Sequence, residues 1–108
     1  KKTELATAFM RAYMRGVRAY NDAFKKGIRK EEAIQIIAER TRTDPELIRN
    51  GFLPGLDPNQ RINAEAFLAI EDYYAKEGLV RNPKGNVDNI VDTSFADAAR
   101  KELGEYEE

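Results

Sequence analysis

Cysteine, histidine and tryptophan are absent from this chain of 108 residues. Without cysteine and histidine it has no thiolate nucleophile, no disulfide, and no imidazole for acid–base catalysis or metal binding. Long hydrophobic runs are also missing, since no segment approaches the ~20 apolar residues of a membrane-spanning helix. The sequence therefore predicts a soluble protein. The lack of cysteine fits the periplasm and the cytosol equally, so it leaves the compartment open.

Strand patterns and targeting signals are lacking as well. No window alternates apolar and polar residues over five or more positions, as a half-buried strand would. The opening Lys1-Lys2 leads directly into a helical pattern, without the apolar segment of a signal peptide. We expect an all-α fold of four to five helices in one segment, residues 1–108. If the protein is exported, we expect a targeting segment upstream that has been removed.

Charged residues make up 34% of the chain and are unevenly distributed. Residues 1–30 hold nine Lys or Arg against two acidic residues, a net charge of +7. Residues 31–108 hold nine basic against seventeen acidic residues, a net charge of −8. A basic segment can bind nucleic acid, but a basic helix packed beside acidic neighbours explains the same asymmetry, and we favour the latter.

The basic stripe of the first helix consists of Arg11, Arg15 and Arg18. Such a stripe could contact phosphates, while Tyr13 and Tyr20 could stack on bases. Both tyrosines lie on a different face of the helix, so the two features do not form one surface. We expect no nucleic-acid binding, and expect the stripe to face water or the acidic surface of the second or fourth helix.

The first helix is predicted at residues 3–26, with Thr3 as its N-cap and Gly27 as the residue that ends it. At 100° per residue, its apolar residues form an arc of roughly 200°, wider than the ~100° stripe of a surface helix. These residues are Leu5, Ala6, Phe9, Met10, Tyr13, Met14, Gly16, Val17, Tyr20 and Phe24. A helix this broadly apolar needs cover on two sides.

Gly16 interrupts this helix at a cost of about 1 kcal/mol relative to Ala. Close approach of a neighbouring backbone, from this chain or from a partner, is the simplest compensation. Such packing would make Gly16→Leu destabilising by overpacking, on the order of 1–3 kcal/mol.

Four further helices are predicted, at residues 30–42, 44–50, 63–77 and 94–103. Thr43 with Glu46, and Ser94 with Asp97, have the spacing of capping boxes, and Asn63 is the expected N-cap of the fourth helix. The last helix is expected to bury Phe95, Ala98, Ala99 and Leu103.

The fourth helix is expected to end at Gly78, where Leu79 folds back on Tyr74. Its buried side should carry Phe67, Ile70 and Tyr74. A linker is predicted at residues 81–86, a single turn at 87–91, and a frayed acidic tail at 105–108.

Pairs of carboxylates are the candidate acid–base groups. They are Glu31-Glu32, Glu71-Asp72, Asp88 with Asp92, and Glu107-Glu108. Most are sequence neighbours on polar helix faces or in the tail, without the burial that raises a carboxyl pKa. We therefore expect these groups to be solvated and the protein not to be an enzyme.

A calcium loop is suggested superficially by Asp57, Asn59 and Asn63. The segment lacks the central glycine and has Arg61 where a carboxylate should lie, so a turn and a helix cap explain the residues better. No Gly-Lys-Ser/Thr phosphate loop follows any glycine. The sequence therefore predicts no catalytic residue, no metal ligand and no cofactor, and it assigns no ligand-binding residue.

Five motifs occur in an order that resembles a known family. They are residues 12–24 (AYMRGVRAYNDAF), 31–47 with the DPEL motif, 55–63 (GLDPNQRIN), 77–80 (EGLV) and 91–99 (VDTSFADAA). Together they resemble the C-terminal part of substrate-binding proteins of ABC importers, in the family that handles nitrate, sulfonates, taurine and thiamine-precursor pyrimidines.

This resemblance implies a two-lobed receptor that closes on a small, anionic or pyrimidine-like nutrient and docks on a membrane permease. The ligand-gripping α/β lobes are not in this chain, and the matched motifs look architectural. The expectation is thus a non-enzymatic C-terminal fragment with a packing role and no ligand binding by itself. Its partners would be the upstream lobes, and its location the periplasm or the outer face of the cell membrane.

Two further expectations concern the segment by itself. The arc of the first helix would be only partly covered, and self-association would relieve that exposure. The alternative to a receptor fragment is a free-standing α-helical module that uses the same arc to bind a partner protein.

Overall fold

The computed structural model describes residues 2–81 and 90–108, and these residues contain five helices and no strand. The helices are α1 (Lys2–Lys26), α2 (Lys30–Thr41), α3 (Pro45–Asn50), α4 (Ala64–Lys76) and α5 (Ser94–Leu103). The all-α prediction is confirmed, and each predicted helix lies within about one residue of the observed one. The predicted linker and turn at 81–91 fall largely on residues 82–89, outside the described residues.

The ends of α4 follow the predicted signals. The Asn63 side chain accepts a hydrogen bond from the Ala66 N–H. At the other end Gly78 has a φ of 74°, and the Leu79 N–H donates to the Tyr74 carbonyl at 2.9 Å. This geometry is a Schellman motif, so both the predicted cap and the predicted end are confirmed.

Three predicted N-caps are wrong. Thr3 lies inside α1, which already includes Lys2. Asp44, not Thr43, caps α3 and accepts from the Glu46 N–H. At α5 the N-cap position belongs to Thr93, so Ser94 is already helical.

The start of α5 is held by short-range contacts in place of a capping box. The Ser94 hydroxyl and the Ser94 N–H both donate hydrogen bonds to the Asp92 carboxylate, the N–H at 2.9 Å. These two hydrogen bonds lower the pKa of Asp92. The Thr93 hydroxyl donates to the Asp97 carboxylate. The capping-box pattern of Ser94 and Asp97 did not identify Asp92 as an acceptor at the start of α5.

The core is small and consists of two clusters. Met14 of α1 packs on Ala96 and Ala99 of α5, with Met10 and Leu103 beside them. Small side chains on α5 let the two helices approach closely. Of the predicted α5 core residues, Ala99 is buried and Leu103 half-buried, while the buried Ala96 was not predicted.

The second cluster joins α2 to α3. Ile34, Ala38 and Ile48 are buried there. Half-buried Phe24 of α1 and Leu53 of the following loop pack against them. The core therefore gathers along one side of α1 and between α2 and α3.

Helix α4 stands apart from this core. None of its residues is buried, and the helices that pair are α1 with α5, α2 with α3, and α1 with α2. The predicted buried side is wrong, because Phe67, Ile70 and Tyr74 are 43%, 55% and 45% exposed. The sequence correctly predicts an amphipathic helix, but nothing in the described part of the chain covers its apolar face.

The molecule is expanded for its length. Its radius of gyration is 17.4 Å, whereas a compact chain of this length has about 13 Å. Its accessible surface is 8567 Å², compared with about 6,100 Å² for a compact monomer of this mass. No helix in residues 2–81 and 90–108 is both long and apolar enough to cross a membrane.

Candidate interaction surface

The loop before α4 is fixed by two side chains, beginning with Asp57. Its carboxylate accepts from the Asn59 N–H at 2.8 Å and from the Arg61 N–H at 2.9 Å. This is the Asx turn that the sequence predicts. It presents Asn59, which is only 8% exposed, toward α1 and the C-terminal tail.

Asn59 joins three segments that are distant in the sequence. Its side-chain oxygen accepts from the Tyr106 N–H at 2.9 Å and from the Arg18 guanidinium at 3.2 Å. Its side-chain amide donates to the Tyr106 carbonyl, and its backbone carbonyl accepts from Arg100. We call Arg18, Asn59, Arg100 and Tyr106 the latch. The latch fixes α1, the loop and the end of α5 as one body.

The tail is docked, so the prediction of a frayed end is wrong. The Tyr106 hydroxyl donates to the Asp22 carboxylate at 2.5 Å, and the Lys26 ammonium lies 4.3 Å from the centre of the Tyr106 ring. The pKa of Lys26 is raised mainly by its side-chain hydrogen bond with Tyr106. Lys25 pairs with Glu108 at 2.5 Å.

Arg11 and Arg18 of the basic stripe face α5 and the residues after it, not α2 or α4, whereas Arg15 is exposed to water, the other predicted outcome. Arg11 pairs with Glu102 at 2.6 Å. Arg18 donates to the carbonyls of Leu103 and Gly104 at the end of α5. Cations near a helix C-terminus are favourable because the last carbonyls there lack partners. Two of the three arginines of the basic stripe are thus committed to the fold.

Three of the candidate carboxylates, Glu31, Glu32 and the Glu108 already described, are engaged in ion pairs. Arg49 of α3 binds Glu31 of α2 at 2.6 Å and also binds Glu46. Hydrogen bonds from Arg49 lower the pKa of Glu31, and Glu32 pairs with Arg29 at 2.5 Å. Within residues 2–81 and 90–108 no group of three acidic side chains could hold a metal ion. Asp88, the remaining partner of Asp92, lies outside the described residues.

The outer face of α1 is apolar and uncovered. Leu5, Phe9 and Tyr13 are 72%, 67% and 45% exposed, whereas Met14 on the opposite face is fully buried. The rings of Phe9 and Tyr13 stack on each other with centroids 6.4 Å apart. The expectation that the arc is only partly covered is therefore confirmed, and we call this the outer face of α1.

Gly16 lies on the same side of α1, where a Cβ would meet no atom within 4 Å. Among the described residues no backbone from outside α1 approaches it, so the expected overpacking by Gly16→Leu is wrong for the described structure. Approach of a partner's backbone to Gly16, the other compensation that the sequence suggests, stays a prediction.

A groove runs between α1 and α2 and has a volume of about 420 Å³. Its lining is almost entirely apolar: Tyr13, Gly16, Val17, Ala19, Tyr20, Ala33, Ile36, Ile37 and Leu56. Arg40 follows Ile36 and Ile37 by one turn, and Arg15 precedes Ala19 by one turn. Neither arginine has an ion-pair partner among the described residues. We call these two arginines, which lie one helical turn from the lining by sequence spacing, the basic rim of the α1–α2 groove.

The sequence indicated the apolar arc but not the latch. The sequence predicts only a turn at residues 57–59, because Tyr106, the hydrogen-bond partner of Asn59, lies 47 residues away. The feature that could have suggested a contact is the tyrosine itself, a large ring inside an otherwise acidic tail.

Comparison with protein-family models, with curated proteins and with solved structures found no match for this chain. Its role is therefore inferred from its own residues and geometry.

Proposed function

We propose that this chain is the C-terminal helical segment of an ABC importer's substrate-binding protein. It packs against two upstream α/β lobes, performs no catalysis, and contacts no ligand by itself. The whole protein would bind a small anionic or pyrimidine-like nutrient outside the cell membrane and deliver it to a permease.

The observation that carries the proposal is the apolar surface that α1 and α4 leave exposed. Within residues 2–81 and 90–108, fifteen large hydrophobic side chains are exposed, among them Leu5 and Phe9 on α1 and Ile70 on α4. A small monomer rarely exposes contiguous apolar patches of this kind unless they contact something. A larger body against which the helices pack accounts for this exposure.

The latch supports an architectural role. Arg18 and Asn59 lie in two of the segments that carry the family resemblance, residues 12–24 and 55–63, whereas Arg100 and Tyr106 follow the last of these segments. In a receptor these contacts would hold the helices as one rigid unit, with the outer face of α1 turned toward a lobe. No contact of the latch resembles a ligand pocket.

The gene provides the first test. We expect the reading frame that encodes this segment to continue upstream through two α/β lobes. A frame that encodes the segment alone, flanked by its own start and stop codons, would contradict the proposal.

Ligand-dependent stabilisation of the whole gene product is the second test. A specific ligand raises the melting temperature because it binds the folded state only. We expect a rise with one class among nitrate, small sulfonates and pyrimidines, and no rise for the 108-residue segment under the same conditions. A whole product that none of these compounds stabilises would argue against transport.

A free-standing protein-interaction module is the alternative, and the α1–α2 groove favours it. A groove with apolar walls and a basic rim resembles sites that accept an amphipathic helix. The gene distinguishes the two functions, because a free-standing module requires no upstream α/β lobes in the reading frame.

A further inference from the structure

We propose that the α1–α2 groove binds helix α4 of a second copy of this chain, giving a reciprocal dimer of the segment. This inference concerns the segment by itself and does not depend on the receptor proposal. The surface is an apolar groove, and its occupant is a helix that buries none of its own residues.

The lengths of the two surfaces match. Along α4, Phe67 and Tyr74 are seven residues apart, with Ile70 between them on the same side. Along α1, Tyr13 and Tyr20 are also seven residues apart. At 1.5 Å per residue both spans are about 10.5 Å, so three anchors of α4 can follow the wall of the groove over two turns.

The floor of the groove suits a helix. A Cβ added at Gly16 would meet no atom outside its own helix within 4 Å, and Ala19 adds only a methyl group to the groove. Small side chains let helix backbones approach closely, while Tyr13 and Tyr20 on the walls can pack against the rings of Phe67 and Tyr74.

The charges are complementary. Glu77 follows Ile70 by seven residues, which is about two helical turns, so the two residues lie on the same side of α4. Neither Glu77 nor the groove arginines Arg15 and Arg40 has an ion-pair partner among the described residues. Docking would place the carboxylate near one of these guanidinium groups, so the rim would select an acidic helix.

The area is sufficient for a stable dimer. The chain exposes on the order of 2,000 Å² more than a compact monomer of its mass. A standard interface buries about 800 Å² per partner. In a two-fold dimer each copy contributes one helix and one groove, so the same contact forms twice.

The contact forms between copies and not within one chain because of the latch. Asp57 and Asn59 hold the loop against α1 and the tail, and α4 starts only a few residues later at its Asn63 cap. With the latch closed, α4 extends away from the body and buries none of its residues.

Sedimentation equilibrium of the 108-residue chain tests the dimer. We expect twice the monomer mass of 12.3 kDa, with Ile70→Asp shifting the protein to monomer by at least tenfold in dissociation constant. Leu68→Asp is the matched control, because Leu68 is exposed on the same helix but about 160° away from Ile70, and it should leave the dimer intact. A monomeric parent chain, or equal effects of the two variants, would overturn the inference.

Cross-linking identifies the occupant. The chain has no cysteine, so Ala19→Cys in the groove and Ala66→Cys on α4 can be placed in separate, differently tagged chains. A short bismaleimide should join one chain of each kind in preference to two of the same kind. Preferential Ala19→Cys homodimers would mean that α1 packs on α1. A linked monomer from a chain carrying both substitutions would mean that α4 folds back within one chain, and either result overturns the proposal. These outcomes leave the receptor proposal untouched, since that is tested on the gene and on the whole product.

Discussion

Asn59 makes more long-range hydrogen bonds than its small side chain suggests, and it makes them where water is largely excluded. We predict that Asn59→Ala destabilises the fold by about 2–3 kcal/mol. It removes the acceptor of the Tyr106 N–H, which is then left without a partner among the described residues, and it also removes one of the acceptors of Arg18. Urea unfolding followed by circular dichroism measures the change in the free energy of unfolding.

Asn50→Ala is the control for this substitution. Asn50 is an exposed amide whose side chain donates to Glu46, and exposed contacts of this kind contribute little. We expect its free energy of unfolding to stay within about 0.5 kcal/mol of the parent. Equal stabilities for the two variants would show that the latch does not hold the tail.

Glu31 gives the fold a dependence on acid pH. Because Arg49 lowers the pKa of the folded carboxyl, the ion pair contributes fully above the unfolded pKa of about 4.3. This contribution is lost as the pH falls through the lower folded pKa. We predict that Arg49→Gln moves the Glu31 pKa upward in a carbon-detected NMR titration, while Arg40→Gln leaves it unchanged. An unmoved pKa in Arg49→Gln would mean that the pair does not form in solution.

At the scale of single elements, local signals predicted the helices well. Asn63 and Gly78 bound α4 because a cap and a positive φ are decided by neighbouring residues. The faces of the helices were harder to predict. Ile70 and Met14 are both apolar residues on amphipathic helices, yet only Met14 is buried, because α5 covers it and nothing described covers Ile70. Periodicity indicates that a face is apolar, but it does not specify which element packs on it.

Two Gly-to-Ala substitutions separate helix propensity from backbone conformation. Gly16 is helical with open space around it, so Gly16→Ala should stabilise the chain by about 1 kcal/mol. Gly78 has a φ of 74°, so Gly78→Ala should destabilise it by about 1 kcal/mol. Thermal unfolding in the Ile70→Asp background removes any effect of dimer contacts. Destabilisation by Gly16→Ala there would mean that some part of the chain packs on Gly16.

At the scale of the whole molecule, the sequence could indicate excess apolar surface but not its distribution. The width of the α1 arc predicted incomplete cover, and the exposed Phe9 agrees with it. The latch, the docked tail and the detached α4 depend on contacts between residues more than 40 positions apart. Such contacts leave no periodic pattern in a single sequence, so the shape of the surface emerges only from the folded chain.

Hydrogen exchange should reveal this uneven stability. A helix of 13 residues is marginal in water without packing, and α4 has that length and buries none of its residues. We therefore predict that the amides of residues 67–76 exchange fast at low protein concentration and become protected as the dimer forms. Amides around Met14, in the core between α1 and α5, should stay protected throughout. Protection of α4 that does not change with dilution, or that persists in Ile70→Asp, would mean that α4 is stable without a partner, and the open surface would then need another explanation.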